Sequence, residues 1–178
     1  SITGLIVALG LLVDAAIVLI EDKGPTGFTL TEAAKAAGVT PAAVYRHFAG
    51  RDDLIAEAAR QGFEVFADLM EHAYAKGQPS PMAAFEATGR AYLAFARRFP
   101  GQYVAMFESG ISINRDPELA LVANRALGTL DKAAAEVMAA LPPEKRPPAR
   151  MVSAHIWALA HGVVELFGRG APGTRSPF

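Results

Sequence analysis

Between Ile2 and Ile20 the chain is apolar almost without interruption, and Asp14 is the only charge in the run. A stretch of that length can span a bilayer. Asp14 inside it, no Lys or Arg ahead of it and Glu21-Asp22 behind it all count against insertion. No positive n-region or processing site marks a signal peptide. The pattern therefore predicts a core helix, apolar on most sides because other helices cover it, and closed by Lys23-Gly24-Pro25-Thr26-Gly27.

Proline and glycine divide the rest into segments of helical composition. Thr31–Ala37 reads as a short alanine-rich helix with Thr31 as its N-cap, stopped at Gly38. Thr40-Pro41 then supplies an N-cap and a proline at the first helical position, which predicts a helix to about Phe48. Gly50 breaks it. Helical spacing of Leu54, Ala58, Phe66, Leu69 and Ala73 predicts a long helix over 52–75. Helices follow at 81–98 and 102–107, then from the Asp116-Pro117-Glu118 cap to about Leu141, and at 150–167 beyond the prolines at 142–143 and 147–148. No segment alternates as a strand would. The fold class is all-α: a three-helix N-terminal domain over 1–50, a helical bundle over 51–168 and an irregular Gly/Pro tail over 169–178.

The most informative segment is Phe28–Leu54, FTLTEAAKAAGVTPAAVYRHFAGRDDL. Two short helices meet at a Gly turn, with Ala33, Ala34, Val39, Val44 and Phe48 available to pack them. Thr40, Pro41, Ala42, Tyr45, Arg46 and His47 are left on the outer side of the second helix. That is the geometry of a helix-turn-helix, whose second helix enters the DNA major groove.

Composition limits how such a module would work. Seventeen Lys+Arg face 18 Asp+Glu among 178 residues, a net charge of -1, which excludes bulk electrostatic coating of nucleic acid. Within Glu21–Arg60 five basic residues are set against six acidic ones. The useful donors nevertheless gather at one place: Tyr45, Arg46, His47 and Arg51 can reach phosphate, and Thr31 and Thr40 can add hydroxyl or backbone contacts. Pro41 and Ala42 carry no side-chain donor, so base reading rests on thymine-methyl contacts, on Thr40, Tyr45 and Arg46, and on DNA shape. Tyr45 and His47 also admit a plainer reading as ordinary helix-surface residues. Phe48 ends the apolar stripe and belongs to the core.

The ordered set Ala33-Ala34, Ala37-Gly38-Val39-Thr40, Val44-Tyr45-Arg46-His47-Phe48 and Arg51-Asp52-Asp53-Leu54 resembles the DNA-binding signature of TetR-family transcriptional regulators. Segments 90–107 and 155–166 resemble the regulatory domain of the subgroup marked by Trp, His and Gly, here Trp157, His161 and Gly162. The resemblance implies a cytoplasmic homodimer whose N-terminal helices bind a palindromic double-stranded DNA operator. It implies too that the C-terminal domain dimerises and takes a small-molecule effector, with repression as the output. Members commonly carry basic residues in or before the first helix, and residues 1–20 offer none. They also commonly continue with a further helix that pairs in the dimer, where this sequence has its Gly/Pro tail.

The aromatic and sulfur-bearing residues of the second half fit either a filled helical core or an apolar ligand cavity with a few polar tips. On the resemblance, the candidate ligand contacts are Phe66, Met70, Tyr92, Phe95, Tyr103, Phe107, Trp157 and His161. Tyr103, Trp157 and His161 stand out because each joins apolar area to a hydrogen-bonding atom. No cofactor or metal is implied. Without cysteine there is no thiolate chemistry. His161 and Glu165 share a helix face, but His155 points elsewhere, two ligands where catalytic zinc takes three. No GxSxG elbow, P-loop or HExxH run marks an enzyme. A second functional reading keeps the fold and the small-molecule site with weakened or lost DNA binding.

Overall fold

The computed structural model describes residues 2–168, and no strand occurs among them. Eight helices follow in order: α1 Ile2–Lys23, α2 Leu30–Ala37, α3 Pro41–Tyr45, α4 Arg51–Gly77, α5 Pro81–Arg98, α6 Pro100–Phe107, α7 Pro117–Ala139 and α8 Ala149–Val163. A short 3-10 turn, Pro143–Lys145, precedes α8, and a π-turn, Val164–Gly168, extends it. The expected tail at 169–178 lies outside the described residues. By packing the chain forms two compact units, residues up to Phe63 with Phe99–Leu121, and Glu64–Arg98 with the residues from Val122 onward. Helices α4 and α7 each contribute to both.

In the first unit α1 packs on α2 and α6. It buries Leu12, Val13, Ala16 and Ile20. The expectation of a helix covered on most sides is corrected here: Val7, Leu11 and Val18, spaced along the other face, are exposed, so α1 is a one-sided core helix. Glycine at 101 lets α6 start against α1, because a Cβ there would stand 2.6 Å from the Ile17 carbonyl oxygen.

The cap of α2 also corrects the sequence reading. Thr29, not Thr31, is the N-cap: its hydroxyl accepts the Glu32 N–H at 3.2 Å, while the Glu32 carboxylate accepts the Thr29 N–H at 2.8 Å. This reciprocal box satisfies two helix-end donors at once. Thr31 lies within the first turn and is exposed. We expect Thr29→Ala to lower stability by about 1 kcal/mol and Thr31→Ala to change it by under about 0.5 kcal/mol, measured by urea unfolding.

In the second unit α5 packs on α8 and on the π-turn. Arg125 of α7 pairs with Glu71 of α4 at 2.7 Å and with Asp68. Arg146 donates to the carbonyls of Ala139 and Leu141, at 3.0 and 2.9 Å, and so closes the C-terminal end of α7. The stretch Pro143–Gly168 is the one among the described residues long and apolar enough to cross a membrane, and only 11% of its apolar window is buried. Its outer face presents Leu159, Val163, Leu166 and Phe167.

Candidate functional site

The helix-turn-helix head is assembled by turn chemistry. Gly38 takes φ 69°, the left-handed conformation that ends α2, and the Val39 N–H reaches back to the Ala34 carbonyl at 3.0 Å. Thr40 caps α3 by accepting the Ala43 N–H at 3.3 Å, and Pro41 opens the helix. The helix is shorter than expected. It ends at Tyr45, because the Val44 carbonyl accepts both the His47 and the Phe48 N–H, at 2.9 and 3.0 Å, and folds the chain into a turn. Val44 and Phe48 are buried beneath it.

With those two side chains inside, Thr40, Pro41, Ala42, Tyr45, Arg46 and His47 are all exposed on one module. Tyr45, 57% exposed, is a large ring turned to solvent on a five-residue helix. Thr31 is exposed on the neighbouring α2. Arg51 differs: it is half-buried, and its Nη1 donates to the Thr26 carbonyl at 3.2 Å, tying the α1–α2 loop to the start of α4. Lys23 pairs with Glu32 at 3.1 Å. That ammonium, followed by the Thr29 backbone and hydroxyl, holds the Glu32 carboxyl below its ordinary value. The module thus spends part of its small cationic charge internally.

The candidate ligand residues divide between the units. Phe66, Met70, Tyr92, Phe95, Trp157 and His161 belong to the second, Tyr103 and Phe107 to the first. In the second unit Phe66 stacks tilted on Phe95 at 4.9 Å and meets Tyr92 and Trp157 edge-on at 5.4 and 6.2 Å. Tyr92 and Trp157 are 5.4 Å apart, and the His161 ring lies 5.6 and 5.2 Å from them. Phe66, Met70, Tyr92 and Phe95 are buried, Trp157 and His161 half-buried. In the first unit Tyr103 and Phe107 pack at 5.0 Å, and Phe107 meets Phe63 at 5.5 Å.

His161 supplies the polar end of the second-unit cluster. Its Nδ1 lies 2.7 Å from the Tyr92 hydroxyl and 3.1 Å from the Trp157 carbonyl oxygen. A protonated Nδ1 donates to that carbonyl, and an unprotonated one accepts the tyrosine O–H. Burial pushes the imidazole below its ordinary value, against the opposing pull of the Trp157 carbonyl and Glu165. At neutral pH it is an uncharged group that can trade a hydrogen bond with a small polar atom. No group of three or more His, Asp or Glu side chains that could hold a metal occurs among the described residues.

Both halves of this arrangement have known counterparts. Residues 12–58 match the description "Bacterial regulatory proteins, tetR family". Residues 85–177, more than half of the chain, match "Tetracyclin repressor-like, C-terminal domain". The chain belongs to the tetR family. It therefore has the fold of transcriptional regulators, with a helix-turn-helix DNA-binding domain. Comparison with curated proteins finds no match. Among solved structures, a protein of unknown function from Rhodococcus sp. RHA1 superposes with TM-score 0.76 at 24% identity, over 93% of this chain and 87% of that one. The TetR-family regulator PfmR from Thermus thermophilus superposes at 0.72 and 15%, over 88% and 84%. The fatty acid degradation regulator FadR from Bacillus halodurans does so at 0.73 and 16%, over 88% and 81%. At these identities the likeness speaks for the fold alone.

Proposed function

We propose that this tetR-family chain is a homodimeric, non-catalytic repressor of the bacterial cytoplasm, released from a palindromic operator by a small apolar effector. Residues 1–50 form the DNA-binding part and 51–168 the regulatory and dimerising part, of the subgroup marked by Trp157, His161 and Gly162. The observation that carries the reading is the head itself: Tyr45 at the end of α3 and Arg46 and His47 in the turn after it stand exposed, over Val44 and Phe48 buried beneath them. In the major groove, Thr40, Tyr45 and His47 donate to phosphate or base edges, Arg46 and Arg51 add charge, Pro41 and Ala42 lie against thymine methyls, and Thr31 meets the backbone beside them. The test is selection of duplexes from a random-sequence pool by the full chain. Enrichment of a palindrome supports the reading, and its absence defeats it.

The effector site of this reading is the second-unit cluster of Phe66, Met70, Tyr92, Phe95, Trp157 and His161; Tyr103 and Phe107 belong to the first unit and form a separate aromatic pair there. An effector releases DNA only through a difference in its affinity for the DNA-binding and released arrangements. The apolar face of α8 is the dimer contact, a second copy rather than lipid covering Leu159, Val163, Leu166 and Phe167. Leu159 is 65% exposed, so a charge there leaves the protomer core intact. We expect Leu159→Asp to weaken dimerisation at least about thirtyfold, the effect of losing one strong interface residue, as read by sedimentation equilibrium.

One observation favours the second reading, a small-molecule-binding protein with weakened DNA binding. The exposed face of α1 carries Val7, Leu11 and Val18 rather than cations. If the pool yields no enriched duplex while small apolar compounds still raise the thermal midpoint, that reading replaces the first.

A further inference from the structure

The carboxylate of Asp53 does two jobs. Oδ2 accepts the backbone N–H of Ala49 at 2.9 Å, four residues past the end of α3, and Oδ1 takes the guanidinium of Arg115. Asp53 stands in the first turn of α4 and Arg115 in the loop between α6 and α7, so one side chain joins three pieces of the first unit. The Arg115 side is itself held. Its backbone N–H donates to the Ser112 carbonyl at 3.0 Å, and the Asn114 N–H donates to the Ser112 hydroxyl at 3.2 Å. The next residue, Asp116, accepts the Leu119 N–H at 2.8 Å and opens α7. A guanidinium on so ordered a loop gives up less rotamer freedom in pairing than one on a free surface chain. The pair lies beside a cleft of about 240 Å³ that His47 also lines.

We infer that Arg115 is a positioning residue for the DNA-reading helix. It acts through Asp53 on the turn at Ala49 and so fixes where His47 and the C-terminal end of α3 stand. With the latch closed, the turn over 46–50 has one arrangement; with it open, the turn samples others, and DNA binding then has to supply the ordering. Because Arg115 adjoins the first turn of α7, a shift of that turn moves the guanidinium directly. The inference rests on the proposed DNA reading for its consequence but not for its geometry.

The test uses the full chain with Arg115→Ala, Arg115→Lys, Asp53→Asn and the double variant Arg115→Ala/Asp53→Asn. Hydrogen exchange is followed in peptides covering 41–50 and 125–135, and affinity is measured for the duplex that the unaltered chain enriches from a random pool. In Arg115→Ala, exchange over 41–50 rises severalfold while that over 125–135 stays put, and the duplex is bound up to about thirtyfold more weakly, the upper range for a partly exposed ion pair in each of two heads. Arg115→Lys restores most of both. Asp53→Asn, which keeps an acceptor for the Ala49 N–H, behaves like Arg115→Ala, and the double variant is no worse than either.

Unchanged exchange over 41–50 in Arg115→Ala and Asp53→Asn overturns the inference. A loss of affinity without a change in exchange overturns it too, since Arg115 then touches phosphate itself. Should Arg115→Ala not fold, the Asp53→Asn exchange decides. If no duplex is enriched, the DNA reading fails, and the latch stands or falls on the exchange alone.

Discussion

The double variant Tyr45→Ala/His47→Ala is expected to lose specific DNA binding while keeping its fold. Both side chains are exposed, so their removal leaves the buried base of the head, Val44 and Phe48, untouched. On the proposed reading each makes one hydrogen bond to a phosphate or base edge, about 1 to 1.5 kcal/mol. Two per head and two heads per dimer make roughly 4 to 6 kcal/mol, a loss of about a thousandfold or more in affinity. Fluorescence anisotropy on the selected duplex measures it, with circular dichroism as the control for folding. Arg46→Ala separates charge from hydrogen bonding: one phosphate charge lost per head lowers the slope of log affinity against log salt by about two in the dimer. If the double variant binds the duplex with unaltered affinity and slope, the head is not the reading surface.

The head was legible because its information is local. Gly38 at the left-handed position, Thr40 at the cap and Pro41 at the first turn each dictate backbone within a few residues, and all three act as the sequence implies. The cap at Thr29 was equally local, and the Thr-x-x-Glu spacing to Glu32 was its signal. The exposed face of α1 was not legible, since an apolar run states what can be buried, not how many neighbours come to bury it. Nor was the division of the aromatic residues. Phe66, Tyr92 and Trp157 gather in one unit and Tyr103 with Phe107 in the other, a matter of which helix segments pack together. The pair of Arg115 with Asp53 joins residues 62 apart in sequence, where neither periodicity nor capping chemistry carries any trace.

The second large effect is expected at Phe66. Its ring is fully buried and in contact with Tyr92, Phe95 and Trp157 at once, so Phe66→Ala removes the shared partner of three aromatic side chains. Phenylalanine-to-alanine changes at such positions cost about 3 to 5 kcal/mol, part of it for the cavity left behind. Phe66→Leu, which keeps most of the volume, should cost under about 2 kcal/mol. Urea unfolding measures both. Phe66→Ala also opens a cavity inside the cluster, and a dry apolar cavity takes up small apolar molecules. Benzene should raise the thermal midpoint of Phe66→Ala and leave that of Phe66→Leu nearly unchanged. If benzene also stabilises the unaltered chain, space for an apolar ligand exists without removing the ring, as the proposed effector site requires; if it stabilises Phe66→Ala alone, the cluster is a filled core.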